Sequence, residues 1–412
     1  MACPAWSFLF VLSLPTNRIT PFPQMSMSFF ERSILYLLSN AKNSPRSVTK
    51  FRIKRDNSAV SMKNIGFRVA IYSLLLIVLA TVPSHSVTEA RNDLSQYLKS
   101  RSHFRLSSAR PSNMDNKDSL QAILDDNSQV EKVADGFEFT EGPLWHPQGF
   151  LLFSDIPANT IYQWTPKEKA KIFRRPSGNA NGNTLDREGR LLSAEHSNRR
   201  VSRTLEDGRV VTLASQYKGK RLNSPNDLVV KSDGSIYFTD PPYGIKSEQE
   251  ELGFYGVYRI APDGTLTLLV QDFVRPNGIA FSPDEKKLYV DDSEKGHIRV
   301  FDVKPDGTVE NGRIFAELKD SNKSGVPDGM KVDQEGNVYS TGPGGVWVFS
   351  PSGNLLGKIA VPEVATNLAW GDSLRDSFAS RDYNMLYITA GNSLYRIRLK
   401  IPGVQPGKTG SS

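Results

Sequence analysis

From residue 136 onward, short runs of β-branched and aromatic residues alternate with polar turns such as Asp-Gly, Glu-Gly and Ser-Gly. This spacing of roughly 8 to 12 residues predicts an all-β fold. A longer unit also repeats: a polar residue, a small or apolar segment, a turn, and an aromatic-rich strand. Its leading residues, separated by 42, 43, 51, 51 and 39 positions, are Glu141, Asn183, Asn226, Asn277, Asp328 and Asn367. Six such units predict a six-bladed β-propeller of four-stranded antiparallel blades.

The last repeat ends one strand short, after the run that begins at Ser393. The segment 129–134, which precedes the first repeat, can supply the missing strand. We therefore predict that an N-terminal strand closes the last blade, because an unpaired sheet edge would expose the protein to aggregation. The propeller is assigned to residues 129–400, and a β-sandwich or two smaller β domains is the alternative.

The N-terminal extension, residues 1–86, carries most of the positive charge of the chain. It has ten basic and two acidic residues, whereas the remainder has 41 basic and 42 acidic ones. The net charge of +7 therefore does not indicate a basic groove on the propeller, and we predict no nucleic-acid partner. The only cysteine is Cys3, which excludes disulfides, cysteine zinc sites and thiol nucleophiles from the propeller.

Residues 69–82 form an uncharged apolar run that follows Lys63 and Arg68 and precedes small residues. The run is too short to span a bilayer and has the order of a secretory signal peptide, which would begin at Met62 and end near Ser86. We predict a secreted or secretory-pathway protein with no stable membrane association after cleavage. An organelle transit peptide that begins at Met1 and a short membrane anchor are the alternatives.

Two further segments flank the propeller. Residues 87–128 are polar and show no sustained period, which predicts a linker with one short helix around residues 119–124. Residues 401–412 end in a Gly-, Lys- and Ser-rich stretch, for which we predict a disordered tail.

The leading polar residues of the repeats are expected at one mouth of the central channel, because the innermost strand of each blade begins where the second strand ends. The second-strand ends His196 and Asp240 are expected at the same face. Asn and Asp also satisfy turns, but Glu141 is a poor turn former. The charge of Asp328 beside Glu141 would be repulsive without a cation between them. Oxygen donors of this kind favour calcium, magnesium or manganese over zinc.

Several motifs in this order and phase resemble the gluconolactonase branch of the regucalcin and luciferin-regenerating-enzyme family. They are the runs at 139–145, 181–186, 224–228, 275–284 and 327–333. The resemblance implies a six-bladed propeller with one divalent cation in its channel, held by Glu141, Asn277 and Asp328. It also implies that Asn226 contacts the substrate and that Asp328 accepts a proton. We expect calcium, with magnesium, manganese or zinc as alternatives.

Two positions depart from the pattern of the family's sugar-lactone hydrolases. Ser224 stands where they carry an arginine, and the loop at residues 240–244, which ends at Gly244, lacks their glutamate. The reaction type can survive both changes, but sugar specificity cannot be assumed.

The predicted function is hydrolysis of a small-molecule lactone or related ester, in which the cation polarises the carbonyl and Asp328 assists the attack of water. Further substrate contacts are predicted for Asn183, His196, Asp240 and Tyr243. The alternatives are a metal-independent enzyme similar to strictosidine synthase, and a propeller that binds a ligand without catalysis.

Overall fold

The computed structural model describes residues 119–125, 127–373 and 382–405. Within these residues, six four-stranded antiparallel sheets follow one another along the chain as the blades of a propeller. The predicted all-β, six-bladed fold is confirmed. Helical structure in the described residues is limited to α1, Leu120–Ile123, and a 3₁₀ turn, Ser247–Gln249.

Blades 1 to 3 contain strands β2 to β9 and β12 to β15, with a small two-stranded sheet, β10 and β11, between the second and third blades. Blade 1 comprises β2 (Thr140–His146), β3 (Phe150–Asp155), β4 (Thr160–Thr165) and β5 (Lys169–Arg174). Blade 2 comprises β6 (Ala180–Leu185), β7 (Leu191–Glu195), β8 (Arg200–Thr204) and β9 (Val210–Ala214). The small sheet pairs β10 (Gln216–Tyr217) with β11 (Lys220–Arg221), and blade 3 comprises β12 (Leu228–Val230), β13 (Ile236–Asp240), β14 (Tyr255–Ile260) and β15 (Leu266–Phe273).

Blades 4 to 6 complete the ring with the remaining strands. Blade 4 comprises β16 (Pro276–Phe281), β17 (Lys287–Asp292), β18 (His297–Val303) and β19 (Val309–Glu317). Blade 5 comprises β20 (Met330–Val332), β21 (Val338–Gly342), β22 (Gly345–Phe349) and β23 (Leu355–Ala360). Blade 6 comprises β24 (Ala365–Gly371), β25 (Met385–Ala390) and β26 (Ser393–Arg398), and β1 (Glu131–Ala134) is its outermost strand.

The pairing of β1 with β26 closes the ring as predicted. The two strands are antiparallel, with Glu131 opposite Arg396 and Lys132 opposite Tyr395. The Arg396 guanidinium donates to the Glu131 carboxylate at 2.8 Å. The first and last parts of the propeller therefore share one sheet, which leaves no unpaired edge between them.

The inner two strands of each blade are buried on both faces, whereas the outermost strands are mostly exposed. Buried strands of this kind carry near-continuous apolar runs rather than strict alternation. The core is packed between neighbouring sheets, and Trp145 stacks on Tyr387 across the join of blades 1 and 6 at a centroid distance of 5.4 Å. Polar residues within the inner strands are therefore exceptions that need an explanation.

The C-terminal end of the described chain corrects one prediction. Residues 401–405 are paired rather than disordered: Val404 N donates to Val332 O at 3.1 Å, and Gln334 N donates to Pro402 O at 2.9 Å. Gly403 lies against the Trp370 ring, where an added Cβ would be 1.8 Å from the indole. Residues 406–412, the rest of the predicted tail, lie outside the described part of the chain.

The short helix predicted near residues 119–124 is present as α1, and Ile123 within it is buried in the core. The predicted signal segment 62–86 and most of the linker 87–128 lie outside the described residues, so the secretory location stays a prediction. No helix among the described residues has the length and apolar character to cross a membrane.

Candidate active site

Strand register identifies the residue of each blade that lies at the mouth of the channel. Glu141 pairs with Ser154, one residue before the end of β3. The residues at the same register in the six blades, counted from the end of each second strand, are Glu141, Asn181, Asn226, Asn277, Asp328 and Thr366. We call these six residues the ring. The pairing brings Glu141, Asn226, Asn277 and Asp328 to one level, as the repeat predicted.

Asn183 is not a ring residue. Its Nδ2 donates to Gly142 O at 2.9 Å and to Ser154 Oγ at 2.8 Å, and its Oδ1 accepts from Ser193 Oγ at 2.8 Å. These bonds tie blade 2 to blade 1 and leave the amide no free capacity for a substrate. The register bulge in blade 2 places Asn181 at the mouth instead.

Hydroxyl groups fix the distance between neighbouring blades at the ring. In three blades, the residue before the last of the second strand donates to the backbone carbonyl of the next blade's ring residue. These bonds are Ser154 Oγ to Asn181 O (2.8 Å), Thr239 Oγ1 to Asn277 O (2.7 Å) and Thr341 Oγ1 to Thr366 O (3.1 Å). The spacing of the ring is therefore set by buried hydrogen bonds between blades.

Glycine follows the ring residue where adjacent inner strands approach most closely. A Cβ added at Gly142 would be 1.9 Å from Asn181 O, and one added at Gly278 would be 2.1 Å from Asp328 O. Only glycine can occupy such positions without moving the neighbouring strand. The Glu-Gly, Asn-Gly and Asp-Gly pairs of the sequence are thus packing features of a narrow channel.

The two predicted carboxylate ligands share an electrostatic environment. Glu141 is buried, and its Oε2 accepts from Gly142 N at 2.6 Å and from Asn367 Nδ2 at 3.0 Å. Burial raises the pKa of Glu141 to about 7. The pKa of the partly exposed Asp328 lies well above its ordinary value, because of burial of the carboxyl group and then because of the charge of Glu141. At both carboxyl groups, the effects that raise the pKa therefore outweigh those that lower it.

Asn277 has an unpaired oxygen at the same level of the ring as these carboxylates. Its Nδ2 donates to Ser293 Oγ at 3.1 Å and to Tyr243 Oη at 3.4 Å, whereas its Oδ1 is buried without a hydrogen-bond partner. The Asn277 amide also lowers the pKa of Asp328, against the larger effect of burial. Buried polar atoms are normally satisfied, so an unpaired amide oxygen at the level of two carboxyl groups fits the donor set of a hard divalent cation.

The candidate donor set combines two carboxylates with one amide. Among the described residues, no group of three His, Cys, Asp or Glu side chains is arranged to hold a metal ion without such an amide. Glu141, Asn277 and Asp328 are therefore the residues that could hold a cation at the ring.

Two buried carboxyl groups next to the ring are not among the predicted site residues. Asp227 follows the ring residue Asn226 in the chain. Asp291 is the residue before the last of the second strand in blade 4, a position that Ser154, Thr239 and Thr341 occupy in blades 1, 3 and 5. The Oδ2 atom of each is buried without a hydrogen-bond partner. Burial raises the pKa of Asp291 well above its ordinary value, and the charge of Asp227 adds to this shift. In the sequence, the pairs Asn226-Asp227 and Asp291-Asp292 are the features that could have identified these two carboxyl groups.

Lys331 provides a positive charge below the ring. Its Nζ lies 3.9 Å from Asp227 Oδ2 and donates to Asn367 Oδ1 at 3.4 Å. The charge of Lys331 lowers the pKa of Glu141, against the larger effect of burial. A lysine within an inner strand, three residues after Asp328, is the sequence feature that could have identified it.

Three of the predicted substrate contacts lie around the ring. The side chain of Asn226 makes no hydrogen bond to any described residue. His196 is buried with Nε2 3.4 Å from Asn181 Nδ2, and burial lowers its pKa to about 4, so its imidazole is neutral at physiological pH. Burial raises the pKa of Tyr243 to about 12, which keeps the hydroxyl that contacts Asn277 protonated.

Asp240, which was also predicted to contact the substrate, instead supports a loop. Its carboxylate is fully buried and accepts from Asn223 N at 2.8 Å and from Ser224 N at 2.7 Å. Asp155 and Asp292 make the same pair of bonds to the backbone before the ring residues of their blades. The structure thus replaces the predicted substrate contact of Asp240 with support of the loop that leads to Asn226.

Comparison with known proteins agrees with this geometry. Residues 139–392 match the family model described as the SMP-30/gluconolactonase/LRE-like region. The chain belongs to this family. It is 36% identical over 309 residues to a gluconolactonase of Zymomonas mobilis, an alignment that covers 69% of this chain and 85% of that protein. The resemblance inferred from the sequence is therefore confirmed.

Two further members extend the comparison. A pentonolactonase of Haloferax volcanii is 27% identical over 257 residues, which cover 60% of this chain and 80% of that protein. The solved structure of a gluconolactonase from Xanthomonas campestris superposes with a TM-score of 0.61 at 36% identity. It covers 68% of this chain and 92% of the Xanthomonas chain.

Proposed function

We propose that this protein hydrolyses a lactone in a reaction that requires a divalent cation held by Glu141, Asn277 and Asp328. The activity itself, lactone hydrolysis, is that of its gluconolactonase and pentonolactonase relatives. The requirement for a cation rests on the chemistry of the ring.

One observation carries the proposal: the buried, unpartnered Oδ1 of Asn277 at the level of two carboxyl groups whose pKa values are raised. Leaving such an oxygen unsatisfied costs about 1 to 3 kcal/mol. A divalent cation would satisfy the amide oxygen and compensate both carboxylates at once. The donors are all oxygen atoms, which makes calcium the first candidate and magnesium or manganese the next.

A bound cation would supply Lewis-acid chemistry, because it polarises an ester carbonyl and stabilises the negative charge that develops on its oxygen. The Asp328 carboxylate accepts the proton of the attacking water, since Asp328 is the less buried of the two acidic residues at the ring. Glu141 stays buried, and its bonds from Gly142 N and Asn367 Nδ2 hold it in place. Asp328 is therefore the base of the proposed mechanism, assisted by position more than by basicity.

The neighbouring residues orient the substrate. The free amide of Asn226 can bond to the ester or to the ring-opened product. The neutral His196 can donate or accept one hydrogen bond, because its low pKa excludes the imidazolium form. The Tyr243 hydroxyl stays protonated and lies against Asn277, so it lines the same side of the mouth.

Chelation and one matched pair of variants test the proposal. The full chain, dialysed against EDTA, should lose hydrolysis of a lactone panel that includes glucono-δ-lactone, and calcium or manganese should restore it. Asp328→Asn should lower kcat by at least about 100-fold, whereas Asp306→Asn, in an exposed turn, should leave kcat unchanged.

Two results would contradict the proposal. Full activity in protein shown by elemental analysis to be free of metal would refute the requirement for a cation. Equal rates for Asp328→Asn and the parent would refute the assigned base.

A further inference from the structure

The loops that lead into the ring carry exposed apolar side chains. Phe139 and Val326 lie two residues before Glu141 and Asp328, and Val364 lies two residues before Thr366. They are 39%, 47% and 45% exposed. Two residues of chain span at most about 7 Å, so the Cα atom of each lies within about this distance of a ring residue, on the loop that enters the mouth. We call these three residues, which belong to the consecutive blades 5, 6 and 1, the apolar rim.

The opposite side of the mouth also presents apolar surface. Tyr243 is 40% exposed and Val274 is 36% exposed. Together with the apolar rim, these residues account for five of the nine large hydrophobic side chains that are exposed in the described structure. Concentration of exposed apolar groups around one opening indicates a binding surface rather than scattered exposure.

Polar residues at the same level are engaged by the protein itself. The residue two positions before the ring residue is Asn179 in blade 2 and Ser224 in blade 3. Asn179 Nδ2 donates to Ile156 O at 2.6 Å, and its Oδ1 accepts from Ser197 Oγ at 2.5 Å. Ser224 is fully buried, and its Oγ accepts from Gly244 N at 2.8 Å.

The equivalent residue of blade 4 is Arg275, whose charge is also partnered. Its Nε lies 3.6 Å from Glu294 Oε2, and its guanidinium lies 5.6 Å from the centre of the Tyr243 ring. The level above the ring therefore offers apolar surface on three blades, hydrogen-bonded polar groups on two, and the ion-paired Arg275 on the remaining one. Apart from Arg275, a polyhydroxylated substrate would find few free partners there, and its hydroxyl groups would lose hydrogen bonds to water.

We infer that the substrate is a lactone with an apolar substituent, alkyl or aryl, and that the apolar rim binds this substituent while the ring binds the ester. This inference rests on the proposed function, because it assumes that a lactone reaches Asp328. It assigns specificity to Phe139, Val326 and Val364, which do not touch the reacting atoms.

A series of γ-lactones with longer side chains tests the inference. γ-Butyrolactone, γ-hexalactone, γ-octalactone and γ-decalactone carry the same ester with progressively more methylene groups. Full burial of one methylene favours binding about fourfold, and a rim that stays partly exposed should give about twofold. We expect kcat/KM to rise by about this factor per methylene, and to exceed the value for glucono-δ-lactone at γ-decalactone.

Variants show whether the apolar rim causes this dependence. The triple variant Phe139→Ser, Val326→Ser, Val364→Ser should flatten the increase of kcat/KM with chain length. Leu355→Ser removes an equally exposed apolar side chain, 46% exposed, from the outer strand β23, and should keep the increase. Circular dichroism and thermal unfolding of each variant verify folding, which we expect because all four side chains are exposed.

The outcomes separate the two proposals. Hydrolysis that is independent of chain length, or that is fastest for glucono-δ-lactone, would overturn the apolar substituent and leave the lactonase intact. An undiminished increase in the triple variant would overturn the assignment to the apolar rim. Absence of cation-dependent hydrolysis for every lactone in the panel would instead overturn the proposed function.

Discussion

Replacement of Glu141 by glutamine tests the charge balance of the ring through stability rather than activity. Glu141 is 2% exposed, and burial raises its pKa from the ordinary 4.5 to about 7. The folded protein therefore binds this proton more tightly than the unfolded chain does. Without a cation, the contribution of Glu141 to the free energy of unfolding is present below pH 4.5 and lost as the pH rises through about 7. The difference between these pKa values corresponds to about 3 kcal/mol.

The assay is urea unfolding of the full chain between pH 5 and 8, in EDTA and in excess calcium. In EDTA, the parent should lose about 3 kcal/mol more than Glu141→Gln over this range. Calcium should remove this loss, because a bound cation favours the ionised carboxylate. It should also stabilise the parent at pH 8 by about 2.7 kcal/mol at a hundred times its Kd. Glu141→Gln should show little of either effect.

Asp240→Asn is the matched control. Burial raises the pKa of Asp240 to about 7 as well, but its carboxylate binds backbone before the ring and not the ring itself. This variant should change the dependence on pH and keep the response to calcium. If Glu141→Gln kept both the pH dependence of the parent and its calcium stabilisation, the electrostatic reasoning about the ring would be refuted.

Three further experiments test separate parts of the structure. Lys331→Met, but not Lys331→Arg, should raise the pH of half-maximal calcium binding by roughly one unit in calorimetric titrations, because the lysine charge lowers the pKa of a ring carboxylate. Gly403→Ala should lower the free energy of unfolding in urea by about 1 to 3 kcal/mol, since its Cβ would overlap Trp370; an unchanged value would contradict the packing of the C-terminal segment. Asn183→Ala should cost about 3 kcal/mol in the same assay and Asn181→Ala less than about 1 kcal/mol, because only the former amide is fully bonded; equal losses would contradict the register.

The number of blades and most of the ring could be predicted because each blade is one sequence repeat. The distance from the leading polar residue to the end of the second strand varies little, so Glu141, Asn226, Asn277 and Asp328 reach the same level. Closure by β1 was predictable for a related reason, since one repeat lacked a strand. Such predictions need only the order of strands.

The error at Asn183 arose because the inner strands contain register bulges. A bulge adds a residue to one strand without changing its pattern of apolar positions. The pairs Asn181-Gly182, Glu141-Gly142 and Asn277-Gly278 would have given the correct register, because glycine follows the ring residue where two strands approach. In blade 2, glycine therefore marked the level where the leading polar residue did not.

Only part of the charge of the ring could be predicted, because the rest depends on contacts between blades that are far apart in sequence. The repulsion between Glu141 and Asp328 was expected, but the contributions of Asp227, Asp291 and Lys331 were not. Beyond the larger effect of burial, the charge of Asp227 raises the pKa of Glu141, Asp291 and Asp328, whereas the charge of Lys331 lowers the pKa of Glu141. A divalent cation at the proposed site would lower the pKa of Glu141 as well, so Lys331 and the cation would act on this carboxyl group in the same direction.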